Sequence, residues 1–168
     1  MLCNTAKRRR KLSFLLLLIL SNILAHSCFA SHWQLSSLET RHSLYSSGKI
    51  FYPAENEITG LELSFIKNSN GLRGIISVFC REIQCYKDNF AIVTLYINGK
   101  SINLLAKCFE GRQQLLIDKD TTELMLNTLK NEESFIIYLN GYESLINSDR
   151  FEQSWRWLQQ LPICQQKE

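Results

Sequence analysis

The chain of 168 residues carries 19 basic and 16 acidic residues, a formal net charge of +3 at pH 7. Five of the basic residues lie within the first 30 positions, so residues 31–168 carry 14 positive against 16 negative charges. This balance argues against a nucleic-acid-binding surface and against a cationic stripe for anionic membranes. With no internal repeat and only two prolines, the chain beyond residue 30 is expected to fold as one domain.

Residues 1–30 have the pattern of a secretory signal peptide. A basic stretch at residues 7–11 precedes an apolar run over residues 12–24, which Ser21 and Asn22 interrupt. The run is shorter than the roughly 20 apolar residues that a membrane-spanning helix needs. We therefore expect export with cleavage after Ala30, and an uncleaved signal anchor is the alternative.

Cys28 opens a second alternative at this end of the chain. Cleavage after Ser27 would leave Cys28 at the new N-terminus, where bacterial lipoproteins are acylated, although Ala25 stands where such sites favour leucine. Contact with a membrane is expected only through the signal segment or through such a lipid anchor. The expected location is the periplasm, the medium or, with Cys28 lipidated, the membrane surface.

The four cysteines after the signal region are the disulfide candidates, because an exported chain reaches a compartment in which disulfides persist. Four residues separate Cys80 from Cys85, a spacing that can close a small loop, so we favour that pairing and join Cys108 to Cys164. Unpaired thiols are the alternative. A zinc site is disfavoured because the spacing is loose and no histidine follows residue 42, and we expect no metal or cofactor.

The first segment after the signal is the least regular part of the sequence. Residues 31–56 are polar with scattered apolar side chains, so we expect an N-terminal extension that packs on the domain through Trp33 or Phe51. Residues 57–168 are expected to form a single β-rich globular domain.

Two hairpins are predicted within that domain. The alternation of apolar residues around "LELSFI" predicts a strand, and its register with the next strand places Leu63 opposite Ile76. In the second hairpin, Asn98-Gly99 is a preferred two-residue turn because both residues tolerate positive φ. Pairing outward from that turn places Leu95 opposite Ile102 on a face whose pairs are apolar until the last, Asn89 with Cys108.

The second half of the domain is predicted to alternate strands and helices. A strand with Leu115 and Ile117 on one face is followed by a short helix with Asp120 as its N-cap. The apolar run Phe135–Leu139 is expected to be a central strand buried on both faces.

The last predicted element is an amphipathic helix with Asp149 as its N-cap. Phe151, Trp155 and Leu158 share one helical face, which we expect to pack on the sheet, with partner binding as the alternative. The predicted fold is α+β and β-dominated. It consists of an antiparallel sheet of about six strands, as a sandwich or partly open barrel, with one short helix and this C-terminal helix.

Catalytic patterns are scarce in the sequence. There is no Gly-rich phosphate loop, no HExxH motif and no C-x-x-C pair, and we assign no catalytic residue. A nucleophile-histidine mechanism would have to use His32 or His42, because His26 lies in the signal segment. A small secreted hydrolase that uses His32 or His42 is therefore the alternative function.

The stretch "FCREIQCYKDNF" is the main candidate for recognition. It presents mixed charge and an aromatic ring in and after a cysteine-bounded loop, and its candidate partner-binding residues are Arg81, Glu82, Tyr86, Lys87 and Asp88. The function expected from the sequence is an exported, non-enzymatic domain that binds or scaffolds another protein.

Overall fold

The computed structural model describes residues 32–38, 46–56, 58, 60–86 and 88–163. The predictions about the signal segment, Cys28, His42, Lys87 and Cys164 lie outside these ranges. The strands are β1 (Gln34–Leu38), β2 (Ser47–Tyr52), β3 (Glu62–Asn68), β4 (Gly71–Ser77), β5 (Phe90–Ile97), β6 (Lys100–Cys108), β7 (Gln114–Ile117), β8 (Phe135–Leu139) and β9 (Tyr142–Ile146). The helices of this part of the chain are α1 (Lys119–Lys130) and α2 (Phe151–Gln160).

The described strands form one open antiparallel sheet in the order β1-β2-β3-β4-β7-β6-β5-β8-β9. The prediction of an α+β, β-dominated fold is confirmed, and the architecture is a single sheet with two helices. The registers of both predicted hairpins are also confirmed, since Leu63 pairs with Ile76 and Leu95 with Ile102. The turn residues and the alternation of apolar and polar residues along each strand were therefore sufficient to predict which residues pair in the two hairpins.

One face of the sheet, which we call the inner face, packs against both helices. Gly74 and Gly48 mark the close approaches: a Cβ at Gly74 would lie 2.8 Å from Thr122 Oγ1 of α1, and one at Gly48 would lie 2.9 Å from Leu158 Cδ1 of α2. Alternate strand residues such as Ile50 contribute to this buried core. The opposite face is called the outer face below.

Two strands lie within the segment that the sequence assigned to a polar extension. Residues 34–38 and 47–52 are β1 and β2, and Ile50 and Tyr52 are fully buried. Trp33 is buried beside them, in contact with the ring of Phe151 at a centroid distance of 4.8 Å. The sheet therefore extends through this segment, and the expected packing of Trp33 is present.

The run Phe135–Leu139 is a strand, but the prediction that both of its faces are buried is wrong. Tyr138 is exposed on the outer face and Ile136 is only partly buried there. β8 pairs with β5 on one side and with β9 on the other, and both helices pack on the inner face. The outer face of β8 is thus left open to solvent.

Both predicted N-caps differ from the observed ones. Asp118 caps α1, accepting from the Thr121 backbone N–H at 2.9 Å and from the Thr121 hydroxyl at 2.6 Å, so the predicted cap Asp120 lies inside the helix. At α2 the N-cap is Arg150 at φ 60°, with no side-chain cap hydrogen bond.

Within the described ranges, no helix has the length and apolar character needed to cross a membrane.

Candidate functional site

One end of the sheet collects several connections, and the longest of them is residues 78–89, the 78–89 loop. Its backbone runs along the β6–β7 turn, because Val78 N–H donates to the Gln113 carbonyl at 2.9 Å and Ile83 N–H to the Arg112 carbonyl at 2.7 Å. The side chain of Ile83 is fully buried and anchors the loop to the core. These contacts fix the described residues of the loop, 78–86 and 88–89, against the rest of the domain.

A disulfide ties the same loop to the end of β6, but through a different pair from the one predicted. Cys85 is bonded to Cys108, with a Cα–Cα distance of 6.5 Å, and Cys80 is free and exposed. The favoured pairing of Cys80 with Cys85 is wrong. The hairpin explains this, because Cys108 N–H donates to the Asn89 carbonyl at 2.7 Å and so lies where the loop returns to the sheet.

The predicted partner-binding residues are on the surface but do not form one cluster. Arg81, Glu82, Tyr86 and Asp88 are all exposed. Arg81 and Glu82 line a cavity of about 220 Å³ at this end of the sheet, whereas Tyr86 and Asp88 lie outside it.

That cavity is shared between the loop and the β8–β9 turn. The amide of Asn140 donates to the Gln84 carbonyl at 3.3 Å, which joins the two segments. Asn140 and Gly141 have positive φ values of 50° and 85°, consistent with the predicted turn. The cavity is lined by Ile58, Arg81, Glu82, Gln84, Asn140, Gly141 and Tyr142.

A second candidate surface lies on the outer face of β5, β6, β8 and β9. Six large side chains are exposed there, one of them Phe90 at the start of β5. The other five are called the outer apolar patch: Ile92, Tyr96, Leu105, Tyr138 and Leu145. The registers make the patch continuous. Ile92 lies opposite Leu105, Tyr96 lies opposite Ile136, and Ile136 lies opposite Leu145.

Two polar side chains near the centre of the patch, those of Thr94 and Asn103, hydrogen-bond to each other. Thr94 lies opposite both Asn103 and Tyr138, and its hydroxyl donates to Asn103 Oδ1 at 2.9 Å. The charged neighbours Lys107 and Glu143 lie opposite Phe90 and Tyr138 at the margins. This surface was not predicted from the sequence, although the apolar residues Ile92 and Leu105 on the second face of the hairpin indicate it.

The histidine of the hydrolase alternative has one acidic neighbour. His32 Nδ1 lies 3.3 Å from Asp149 Oδ2, at ion-pair distance but without hydrogen-bond geometry. Both side chains are partly exposed to solvent. In the part of the chain that the structure describes, no serine, threonine or cysteine side chain hydrogen-bonds to His32, and no group of three acidic, histidine or cysteine residues is arranged to hold a metal ion.

Comparison of this chain with protein-family models, with curated proteins and with solved structures finds no match. The candidates for function are therefore the two surfaces and the His32–Asp149 pair described above.

Proposed function

We propose that this chain is an exported, non-enzymatic domain that binds another protein through the outer apolar patch. The observation that carries the proposal is the pair Ile92 and Leu105. These residues lie directly opposite each other on the solvent side of the sheet, 42% and 63% exposed.

An open antiparallel sheet normally carries polar side chains on its solvent face. Here five large apolar or aromatic side chains occupy adjoining positions on four strands, and together they expose on the order of a few hundred Å². Contiguous patches of this kind on soluble domains mark surfaces that bind partners. The proposed partner therefore presents a flat apolar surface of its own.

The composition of the patch also fits a protein partner. Tyr96 and Tyr138 each combine a large apolar ring with a hydroxyl that can hydrogen-bond to a partner backbone. Tyrosine is enriched at protein interfaces, and charged residues are depleted at their centres. The positions of Lys107 and Glu143 at the margins follow the same arrangement.

Export is supported by two features that are independent of the patch. The first 30 residues have the signal pattern described above, and Cys85 is disulfide-bonded to Cys108. Disulfides form and persist in oxidising compartments. We accordingly place the proposed partner outside the cytoplasm, in the periplasm or medium or at the cell surface.

Site-specific photo-cross-linking in the host cell tests the proposal. A photoreactive residue at Ile92 should give a discrete adduct with one protein, whereas the same residue at Gln114, exposed on the outer face outside the patch, should not. The purified partner should then bind the wild-type chain and lose at least about tenfold in affinity for Leu105→Asp. Identical adducts at both positions, or unchanged affinity for Leu105→Asp, would contradict the proposal.

The His32–Asp149 pair favours a second candidate, a small hydrolase with His32 as base and Asp149 as its orienting carboxylate. A panel of ester and amide substrates tests it. If the chain is such a hydrolase, it should turn over at least one of these substrates. His32→Ala should abolish that turnover, and Asp149→Asn should reduce it. Turnover that survives both substitutions, or no turnover at all, would remove this candidate.

A further inference from the structure

Two opposite charges border the outer apolar patch on its two flanking strands. Lys107 lies on β6, opposite Phe90 of β5, and Glu143 lies on β9, opposite Tyr138 of β8. Both charged side chains are exposed, and neither has an ion pair within the described part of the chain. The patch is therefore bordered by one unpaired cation and one unpaired anion at opposite corners.

The strand registers give the separation of these two charges. Glu143 is level with Thr94, because both lie opposite Tyr138. Lys107 is level with Phe90, four residues before Thr94 on β5, and four residues of strand span about 14 Å. Across the sheet, β6 and β9 are three strand spacings apart, again about 14 Å. The line between the two charges therefore runs at about 45° to the strands.

A two-fold axis can pair both charges at once. In a dimer with such an axis every contact occurs twice, so Lys107 of each copy meets Glu143 of the other. The axis lies in the plane of the face, perpendicular to the line between the charges, and it makes the strands of the two copies cross close to a right angle. Orthogonal crossing is one of the two arrangements in which β-sheets pack face to face. The same axis places Leu105 of each copy over Tyr138 of the other, so the apolar centre is paired as well.

The size of the patch sets the expected strength of the dimer. A standard interface buries about 800 Å² per partner, whereas the patch exposes on the order of a few hundred Å² of large side chains, to which the polar margin adds. We therefore expect a dissociation constant on the order of 10 µM. Unfolding measured well below that protein concentration then reports on the monomer.

We propose that the partner bound by the outer apolar patch is a second copy of this chain, related by a two-fold axis that pairs Lys107 with Glu143. This second copy is the partner of the proposed function, on which the inference rests. Sedimentation velocity of the exported, disulfide-intact protein from about 1 to 200 µM should show a monomer–dimer equilibrium. Leu105→Asp should stay monomeric over that range, whereas Gln114→Asp, outside the patch, should dimerise like the wild type.

Charge reversal tests the pairing itself. Lys107→Glu and Glu143→Lys should each weaken dimerisation about tenfold, because two contacts per dimer become repulsive. An equimolar mixture of these two variants should recover the wild-type affinity, since both contacts of the mixed dimer again join opposite charges. The double variant Lys107→Glu/Glu143→Lys should recover it for the same reason.

The outcomes distinguish this dimer from the proposed function. A photo-cross-link from position 92 that joins two copies supports both. A monomer at every concentration, together with a cross-link from position 92 to a different protein, overturns the second copy and keeps the patch as a binding surface. A dimer that Leu105→Asp leaves intact, or that the mixture of charge variants does not restore, also contradicts the dimer described here. A monomer without any adduct at position 92 overturns both.

Discussion

The indole N–H of Trp33 donates a 2.8 Å hydrogen bond to the backbone carbonyl of Asn147. Trp33 immediately precedes β1 and Asn147 immediately follows β9, so this bond joins the two opposite edges of the sheet. The side-chain amide of Asn147 also donates to the hydroxyl of Tyr52 at 3.2 Å. These two bonds bring the start of β1 and the end of β9 together beside Tyr52, whose ring contacts that of Trp33 at a centroid distance of 5.6 Å.

Trp33→Ala should lower the free energy of unfolding by about 3–5 kcal/mol, because it removes a buried indole together with its hydrogen bond. The indole also stacks on Phe65 with a centroid distance of 5.8 Å, so the vacated space lies inside the core. Urea denaturation followed by circular dichroism measures the effect, with the half-buried Trp157→Ala as the matched control. Equal losses in the two variants would contradict the role given to Trp33.

Loss of the disulfide should lower the free energy of unfolding by about 3 kcal/mol, as the chain-entropy estimate gives for a loop of this length. The cross-linked cysteines are 23 residues apart and enclose the β5–β6 hairpin. The double substitution of Cys85 and Cys108 by serine tests this by urea denaturation, and Cys80→Ser is the control that should change nothing. Intact mass after alkylation should show Cys80 modified before reduction and Cys85 and Cys108 only after it.

Asp118→Ala should destabilise the protein by about 1 kcal/mol through the lost N-cap of α1. Asp120→Ala is a matched control, because Asp120 lies in the first turn, is exposed, and caps nothing in the structure. Urea denaturation of both variants decides between the observed and the predicted cap. A larger loss for Asp120→Ala would show that the helix begins where the sequence pattern placed it.

The same cap gives a pH dependence. Burial raises the pKa of Asp118, but hydrogen bonds from the Thr121 side chain and backbone, and from the backbone of Asp120, outweigh it and hold the pKa below its ordinary value of 3.8. Because folding lowers this pKa, ionised Asp118 stabilises the folded protein. That stabilisation is fully present at pH above the unfolded-state pKa and is lost as the pH falls through the folded-state pKa. The stability difference between wild type and Asp118→Asn should therefore be largest at neutral pH and shrink below pH 3.8. A constant difference would contradict this linkage.

The side chain of Lys67 caps the C-terminal end of α2. Its ammonium group donates to the carbonyls of Gln159 at 3.0 Å and Leu158 at 3.3 Å, where the helix leaves its last carbonyls unpaired. Lys67→Met should cost about 1 kcal/mol, from these bonds and from the interaction of the cation with the helix dipole. Thermal unfolding measures it, and Lys100→Met in the exposed Asn98-Gly99 hairpin should be neutral.

The sequence predicted the elements whose information is local. Asn98-Gly99 fixed the turn, and alternation of apolar residues then fixed the register down to Leu95 and Ile102. β1, β2 and β9 were not predicted, because their positions depend on contacts between residues far apart in the sequence, such as that of Trp33 with Asn147. The pairing of Cys85 with Cys108 depends likewise on the path of the 78–89 loop, which spacing does not encode.

The candidate surfaces likewise divide into residues that are close together in the sequence and residues that only the fold brings together. Arg81 and Glu82 were identified from the sequence because they lie in one short stretch. Their neighbour Tyr142 lies about 60 residues further along the chain, and only the fold brings it to the same cavity. The outer apolar patch was missed because β5 carries apolar residues on both faces, and a sequence does not show which face the helices cover. On β6, Leu105 is the one apolar residue among polar neighbours on the outer face.

Leu104 and Leu105 test which face of the sheet is the solvent face, since they are the same residue type at adjacent positions of β6. Leu104 packs against the core, whereas Leu105 is 63% exposed on the outer apolar patch. Leu104→Asp should cost several kcal/mol, because it brings an unpaired carboxylate against the core. Leu105→Asp should change the free energy of unfolding by less than about 0.5 kcal/mol.

Urea denaturation of the two variants measures the difference, and the wild type gives the reference. If Leu105→Asp is as stable as the wild type, any loss of partner binding in that variant is a property of the surface and not of the fold. If Leu105→Asp unfolds as readily as Leu104→Asp, the outer face is covered in solution and the patch is part of a core.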